Sequence, residues 1–543
     1  MSPAGMPTFG LLPGGSVTIL PQAPSANAAA TTRTPNQRSM STSRPLDAIV
    51  RIAAPATVTS LALPALSAVL LAATFPKINA AWLGPIALAP LFWLWRRSSW
   101  KSALLSGWLA GTLFFLLTMA WIGTSLGEYV GTLAPLAVVL FAAIEGLFFG
   151  VAGAACARLA VTRTALWPLG CAALWTLLEL ARGNGPVGVP FGLLGDAQAA
   201  TPFIAIAAYL GVYGISFALA LISAATADLC ADATRRSGAA WIVGTLALTG
   251  VSWWLWPARV HAAAPTMRVA VVQGNVSQDV KWSPQFFWSE FGRYERGTLA
   301  AAAGDPALVV WPETVVTTFL NESPAVRDRL SQLARRTGSA LLIGTDSRSG
   351  KHLANQMWGY GRNGNVEAIY TKRNLVPFAE YLPLEGLLGA IPLFDPVSRF
   401  SAGSAAVVFH DAPLPYSALI CYESAFPRDA WDMLRAGAQV LVIATDDAWF
   451  GTSAGPYQHA ELAQLRAVEE GAYVVRAAAT GISGIIAPDG TWRMRIPLGV
   501  ERTESGMVGA PTWTPYRAVG PWGPPVLALL ALAAALAVRR SRI

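Results

Sequence analysis

The sequence predicts a polytopic α-helical membrane protein of eight spans that carries one extracytoplasmic α/β domain. Three observations support this. The 543-residue chain is 54% hydrophobic and only 13% charged, too apolar for an ordinary soluble protein. Apolar runs of spanning length follow one another through its first half and return once near the C-terminus. Between them lies a polar stretch, about 258–520, in which short apolar strands alternate with helical segments.

Four regions follow from these patterns: 1–50, 51–257, 258–520 and 521–543. The first is rich in Ala, Ser, Thr, Pro and Gly without apolar period, and is expected to be a disordered cytoplasmic tail. It does not read as a signal peptide, because the first strongly apolar run begins after Arg51. Spans are expected near 56–75, 80–96, 102–122, 131–155, 165–181, 203–228, 239–256 and 522–538. Pro85 and Pro90 interrupt the second. Basic residues gather in every second loop: Arg44 and Arg51, then Arg96, Arg97 and Lys101, then Arg158 and Arg163, then Arg235 and Arg236, and finally Arg539, Arg540 and Arg542. Lys77 and Arg182 are the exceptions on the other side. This alternation puts both termini in the cytoplasm and the polar region outside, in the periplasm of a Gram-negative cell.

The net charge is +8. No basic stripe or nucleic-acid motif accompanies it, so lipid headgroups rather than nucleic acid are the expected counterpart. The 21 tryptophans fit a chain with many membrane interfaces. Cys156, Cys171 and Cys230 lie in apolar segments and read as small core residues. No cysteine spacing suggests a disulfide framework or a zinc site. Glu145 and Glu179 fall within or near spans, where an ionisable group is either functional or paired inside the bundle. The Gly- and Pro-rich segment 183–195 follows on the outer side and reads as a re-entrant loop facing the outer domain.

In the polar region, strands are expected at Met267–Gln273, Ala307–Trp311, Ala340–Gly344, Gln356–Gly361, Val366–Lys372, Ala405–Phe409, Tyr416–Cys421, Val440–Ala444 and Ala472–Ala478, with a helix near 456–470. Asn363-Gly364 makes a hairpin turn, and Ile485–Ala487 turns at Asp489-Gly490. Cys421 ends a buried strand, where a side chain can point into a cleft. A thiol is mostly protonated at neutral pH and needs a base or a cation to act as a nucleophile. None of His261, His352, His410 and His459 stands in a recognisable cysteine-protease context. Glu313 and Lys372 also end strands, so the three can meet across one rim. Glu313 then takes the thiol proton. Cys421 attacks a carbonyl and holds the acyl group as a thioester. Lys372 and the backbone N–H of Tyr422 offset charge on the tetrahedral oxygen. Each residue alone also has a plain structural use: a solvated acid, a surface lysine, a core cysteine.

Trp311-Pro312-Glu313, Tyr370-Thr371-Lys372 with Leu375 to Pro383, and Ile420-Cys421-Tyr422-Glu423 resemble the Glu-Lys-Cys motifs of the nitrilase superfamily of carbon–nitrogen hydrolases. With Val376-Pro377-Phe378, Asp447-Ala448-Trp449-Phe450-Gly451, Val272 to Asn275, Lys281-Trp282 and Gln458-His459, enclosed by spans, they resemble its membrane-embedded apolipoprotein N-acyltransferase family. The resemblance implies a four-layer αββα sandwich and acyl transfer from a phospholipid, typically phosphatidylethanolamine-like, to Cys421. The acyl chain then passes to the α-amino group of a diacylglyceryl-cysteine that begins a bacterial lipoprotein. It implies an inner-membrane location and no cofactor or metal. Glu313, Lys372 and Cys421 correspond to the triad, Glu380 to a second acid, and Tyr422 and Glu423 to positions flanking the nucleophile. Trp282 and Trp449 correspond to aromatic positions near the lipid entrance, with packing or interfacial anchoring as their other use. Asn355 is a further substrate-binding candidate, and His459 a further candidate position. Ala379, Asp446 and Ala479 depart from the family's usual Gly, Asn and Asn. A membrane-tethered amidase or nitrile hydrolase with the same triad is the alternative; there water, not an amine, resolves the thioester. A transporter with a receptor-like domain would show paired halves in its spans, and none is visible.

Overall fold

The polar region folds around two six-stranded sheets laid face to face. The computed structural model describes residues 56–540, apart from 163, 186, 232, 261–264, 392, 393, 395 and 396; the tail expected to be disordered lies outside these residues. In chain order the strands are β1 (Pro265–Gln273), β2 (Leu308–Val310), β3 (Ala340–Ser349), β4 (His352–Tyr360), β5 (Val366–Thr371) and β6 (Val408–Phe409). Then come β7 (Tyr416–Ile420), β8 (Val440–Thr445), β9 (Tyr473–Ala478), β10 (Ser483–Ile486), β11 (Trp492–Ile496) and β12 (Arg502–Gly509). One sheet runs β12-β1-β2-β3-β4-β5 and the other β11-β10-β9-β8-β7-β6.

The centre of each sheet is parallel: β1 to β2 to β3, and β7 to β8 to β9. Parallel neighbours need crossovers, supplied by helices Phe287–Ala302, Pro324–Thr337, Pro427–Arg435 and Gly455–Glu470. Alternation along the strands sorts the layers. Val269 and Val271 join the core between the sheets with Leu308, Val310, Leu419 and Val442. Ala270 and Val272 face the other way, against Phe291, Tyr294 and Leu330 of the covering helices. The expected strand at Ala405–Phe409 shortens to β6, and β11 and β12 are additional. β12 pairs antiparallel with β1 from Arg502 to Gly509.

Helices occupy all eight apolar stretches, and among the described residues five are long and apolar enough to cross a membrane: Trp100–Thr118, Gly131–Leu159, Pro202–Leu229, Arg235–Trp256 and Pro515–Val538. The second stretch is broken into Ala81–Leu83, Gly84–Ala87 and Ala89–Trp95. Pro85 and Pro90 each open a new helical segment there, since proline fits a first turn and not an interior. Small residues let the helices approach closely. A Cβ at Gly107 would lie 2.4 Å from the Phe149 carbonyl oxygen. Glu145 is paired inside the bundle: Arg182 Nη1 lies 3.1 Å from its Oε2 and also donates to the carbonyls of Val189 and Phe191. Glu179 accepts from Trp175 Nε1 and Leu194 N at 2.9 and 2.8 Å.

The helical region grips the sandwich at several points. Tyr422 Oη donates to Gly188 O at 2.6 Å, and its ring stacks on Phe191. Trp121 Nε1 donates to Gln458 Oε1, whose amide donates to Thr118 O, both at 3.0 Å. Lys77 and Ser125 donate to the carbonyls of Thr452 and Trp449. At the end of helix Gly455–Glu470, Glu470 is fully buried and neither of its carboxyl oxygens has a hydrogen-bond partner among the described residues. Burial, then the charge of Glu469, push its carboxyl up to about 8. The folded form therefore holds a proton that the unfolded chain loses near pH 4.5, and stability falls as pH rises through that window. Glu470→Gln should raise the denaturation midpoint at pH 9 by the equivalent of about 1–3 kcal/mol. At pH 4, below the unfolded-state value, it should change it little, as thermal unfolding in detergent at the two pH values would show.

Candidate active site

Three strand ends converge on one buried cluster. The chain leaves β2 through Trp311-Pro312 to Glu313, which is buried. It passes so close over β3 that a Cβ at Gly344 would meet the Pro312 oxygen at 2.0 Å, so only glycine fits beneath it. Lys372 follows β5 and is fully buried, its N–H donating to Asn355 O at 2.9 Å. Cys421 follows β7 and opens a short 3-10 turn, Cys421–Ala425. Its φ of +51° is left-handed, a conformation that costs a non-glycine residue about 1–3 kcal/mol and persists only where the surroundings enforce it. Cys421 is partly exposed.

The polar contacts form a closed set. Lys372 Nζ lies 2.8 Å from Glu380 Oε1 and 3.5 Å from Glu313 Oε1. Asn355 Nδ2 donates to the same two oxygens, at 3.4 and 2.8 Å. Glu313 Oε2 accepts from Asp446 N, and Glu380 Oε2 from Val376 N. Burial works against the Lys372 ammonium, but the carboxylates of Glu380 and Glu313 outweigh it and raise its pKa. The Cys421 thiol is pushed well above its ordinary range, by burial first and then by Glu313, with Lys372 pulling the other way. The resting sulfur is therefore protonated and needs a base, and the charges of Glu313 and Lys372 pull on it in opposite directions.

The flanking residues divide. Glu423 is fully buried beneath the cluster and accepts from Ile420 N, Tyr370 Oη, Arg373 N and Asn374 N. It braces the segment carrying Lys372 against the turn carrying Cys421. Tyr422 directs its hydroxyl away to Gly188 of the loop 183–195, which leaves its backbone beside Cys421. Trp282 is 48% exposed and held by Gln278 Oε1. Trp449 is partly exposed on the loop tied to Ser125. His459 is buried, with Nε2 3.0 Å from Cys421 O and 2.8 Å from Ser424 Oγ, and Nδ1 2.9 Å from Asp447 Oδ1.

Two supports entered the sequence reading only as motif positions, without a role. Lys281 pairs with Asp446 at 2.5 Å, and so fixes the residue whose N–H holds Glu313. Asp447 bridges His459 to Arg476, which lies 2.9 Å from its Oδ2. Burial alone would raise the Asp447 carboxyl; Arg476 and His459 outweigh it and hold it well below the usual range.

A two-sheet carbon–nitrogen hydrolase domain, with a glutamate, a lysine and a cysteine gathered at its strand ends and a helical membrane region beneath, defines the class. Family profiles match both parts of the chain: "Apolipoprotein N-acyltransferase N-terminal domain" matches 67–225 and "Carbon-nitrogen hydrolase" matches 268–503. The chain is 34% identical to the apolipoprotein N-acyltransferase of Pseudomonas syringae pv. tomato, covering 74% of this chain and 81% of that protein. It is 32% identical to that of Geobacter metallireducens, covering 88% and 95%. The chain belongs to the apolipoprotein N-acyltransferase family, and is an acyltransferase.

Proposed function

We propose that this protein moves a fatty acyl chain from a membrane phospholipid, of phosphatidylethanolamine type, to the free α-amino group of the diacylglyceryl-cysteine that begins an apolipoprotein. The observation that carries this reading is the cluster of Glu313, Lys372, Glu380 and Cys421 on a turn bonded directly to the membrane region. Glu313 takes the thiol proton, and the Cys421 sulfur attacks the ester carbonyl. Lys372 and the Tyr422 N–H stabilise the tetrahedral oxygen. The C–O bond breaks, the lysolipid oxygen takes the proton from Glu313, and a thioester remains. The acceptor amine then attacks the thioester and gives its proton to Glu313. The C–S bond breaks, and the sulfur regains the proton. Glu380 and Asn355 hold Lys372 and Glu313 in place, and Trp282 and Trp449 line the approach of the lipid chains.

All eight helical stretches span the bacterial inner membrane in this reading. The sandwich (about 258–520) faces the periplasm and both termini the cytoplasm. A lipid tail leaving the bilayer costs about 0.8 kcal/mol per exposed CH₂, and a site seated on the membrane region avoids that cost. The thioester stores the acyl chain without a nucleotide or other cofactor.

Mass spectrometry of the purified protein after incubation with phosphatidylethanolamine tests the first half. One added acyl mass is expected on Cys421, absent in Cys421→Ala. A diacylated lipopeptide should then discharge it as triacylated product. Acylation of another residue, or release of free fatty acid alone in the presence of the lipopeptide, would overturn the proposal.

A further inference from the structure

Helix Gly455–Glu470 of the sandwich touches both the nucleophile's turn and the membrane helices. His459 and Arg466 are seven residues apart, on one face. His459 reaches Cys421 O and Ser424 Oγ, and Arg466 Nη1 donates to Ser424 O and Ala425 O, both at 3.2 Å. Three carbonyls of the turn, those of Cys421, Ser424 and Ala425, are therefore held from this one helix. Arg466 also pairs with Glu469, Nε to Oε2 at 2.6 Å and Nη2 to Oε1 at 2.9 Å. Both side chains are fully buried.

Glu469 continues the chain of contacts into the membrane region. Helix Ala207–Leu229 is broken at Gly211, with φ 63° and ψ −173°. A break frees the N–H groups that follow it, and Val212 N–H donates to Glu469 Oε1 at 2.7 Å. A Cβ on Gly211 would lie 2.6 Å from the Tyr516 ring and 3.2 Å from Glu469 Oε1. Thr514, on the approach to the last apolar helix, donates to Glu469 O at 2.6 Å. A buried ion pair is weak evidence for stability in itself, since desolvation consumes most of its attraction. Here each of its partners has a second bond to a different part of the molecule.

We infer that Arg466 and Glu469 are positioning residues that fix the Cys421–Ala425 turn to the break at Gly211, so that the seating of the membrane helices sets the geometry of the nucleophile. This rests on the acyl-transfer reading only for its kinetic readout. Gly211→Ala changes the joint from the membrane side. Glu469→Gln keeps an acceptor for Val212 N–H and removes the countercharge of Arg466.

For either variant, the rate of Cys421 acylation at saturating phosphatidylethanolamine is expected to fall on the order of a hundredfold, with the lipid KM within about twofold. Hydrogen exchange should show peptides around 208–215 and 421–426 losing protection together, while β1 to β3 keep theirs. Alkylation of Cys421 by iodoacetamide should change rate in both variants, and it needs no lipid, so it separates failure of this inference from failure of the acyl-transfer reading. Wild-type alkylation and protection of 421–426 in a folded Glu469→Gln protein would overturn the inference. So would a loss of protection spread across the whole sandwich. If Gly211→Ala does not fold, Glu469→Gln decides by the same readings.

Discussion

Glu313→Gln should lower the rate of Cys421 acylation by about 10²–10⁴-fold. The substitution keeps size and removes the proton acceptor. It also disturbs the hydrogen bonding, because Glu313 accepts at both oxygens: Oε1 from Asn355 and Lys372, Oε2 from Asp446 N. A glutamine amide has one oxygen, so its NH₂ must face a donor on one side. The pH dependence separates loss of the base from this local disturbance. Burial holds the Cys421 thiol well above its ordinary range, and burial persists in the variant. Without a base, the reactive thiolate forms only as pH approaches that raised pKa. The residual rate of Glu313→Gln should therefore climb with pH from 7 to 9 without levelling, while the wild-type rate rises less steeply. Acyl-enzyme formation followed across that range by mass spectrometry would check this. A variant rate within about threefold of wild type at pH 7 would remove Glu313 from the base role, since a positioned base contributes far more.

Much of this site was legible in sequence because its chemistry sits at strand ends. Apolar runs closing on Glu313, Lys372 and Cys421 mark three strand ends, which the fold brings together from both sheets. The buried supports were not legible. Lys281 and Asp446 are 165 residues apart, and Lys281, read only as part of the Lys281-Trp282 motif, has no partner until the fold buries it. Asp447 likewise gains meaning only once His459 and Arg476 arrive from two later elements. Glu423 read as a neighbour of the nucleophile; its four hydrogen bonds give it the work of a brace. β12 escaped notice because Arg502 to Gly506 is polar and contains glycine. Its partner β1 supplies the ladder, so pairing outweighs intrinsic preference there. The broken second apolar stretch was foreshadowed by Pro85 and Pro90. The break at Gly211 was not, since a glycine within an apolar run gives no sign of the acid that caps it from another domain.

Lys372→Met should abolish acylation and destabilise the protein as well. Lys372 is the ammonium that faces both Glu313 and Glu380. Removing it leaves two carboxylates in one buried pocket with Asn355 as their shared donor. Breaking a buried pair by deleting one partner costs about 3–5 kcal/mol, so the denaturation midpoint should drop visibly. The lysine's pKa is raised, so its stabilising effect is fully present below the unfolded-state value of about 10.4 and fades only as pH climbs beyond it. No lysine limb should therefore enter the wild-type profile at ordinary pH. Stability and catalysis can be pulled apart with a second change. In Lys372→Met with Glu380→Gln, one stranded charge is neutralised, and much of the lost stability should return. Acylation should not, because nothing replaces the cation beside the tetrahedral oxygen. Thermal unfolding in detergent and acyl-enzyme yield, measured on the single and double variants, give the two readings. Recovery of both would mean that Lys372 serves only to balance Glu380, and the oxyanion role would pass to the backbone of the Cys421 turn alone.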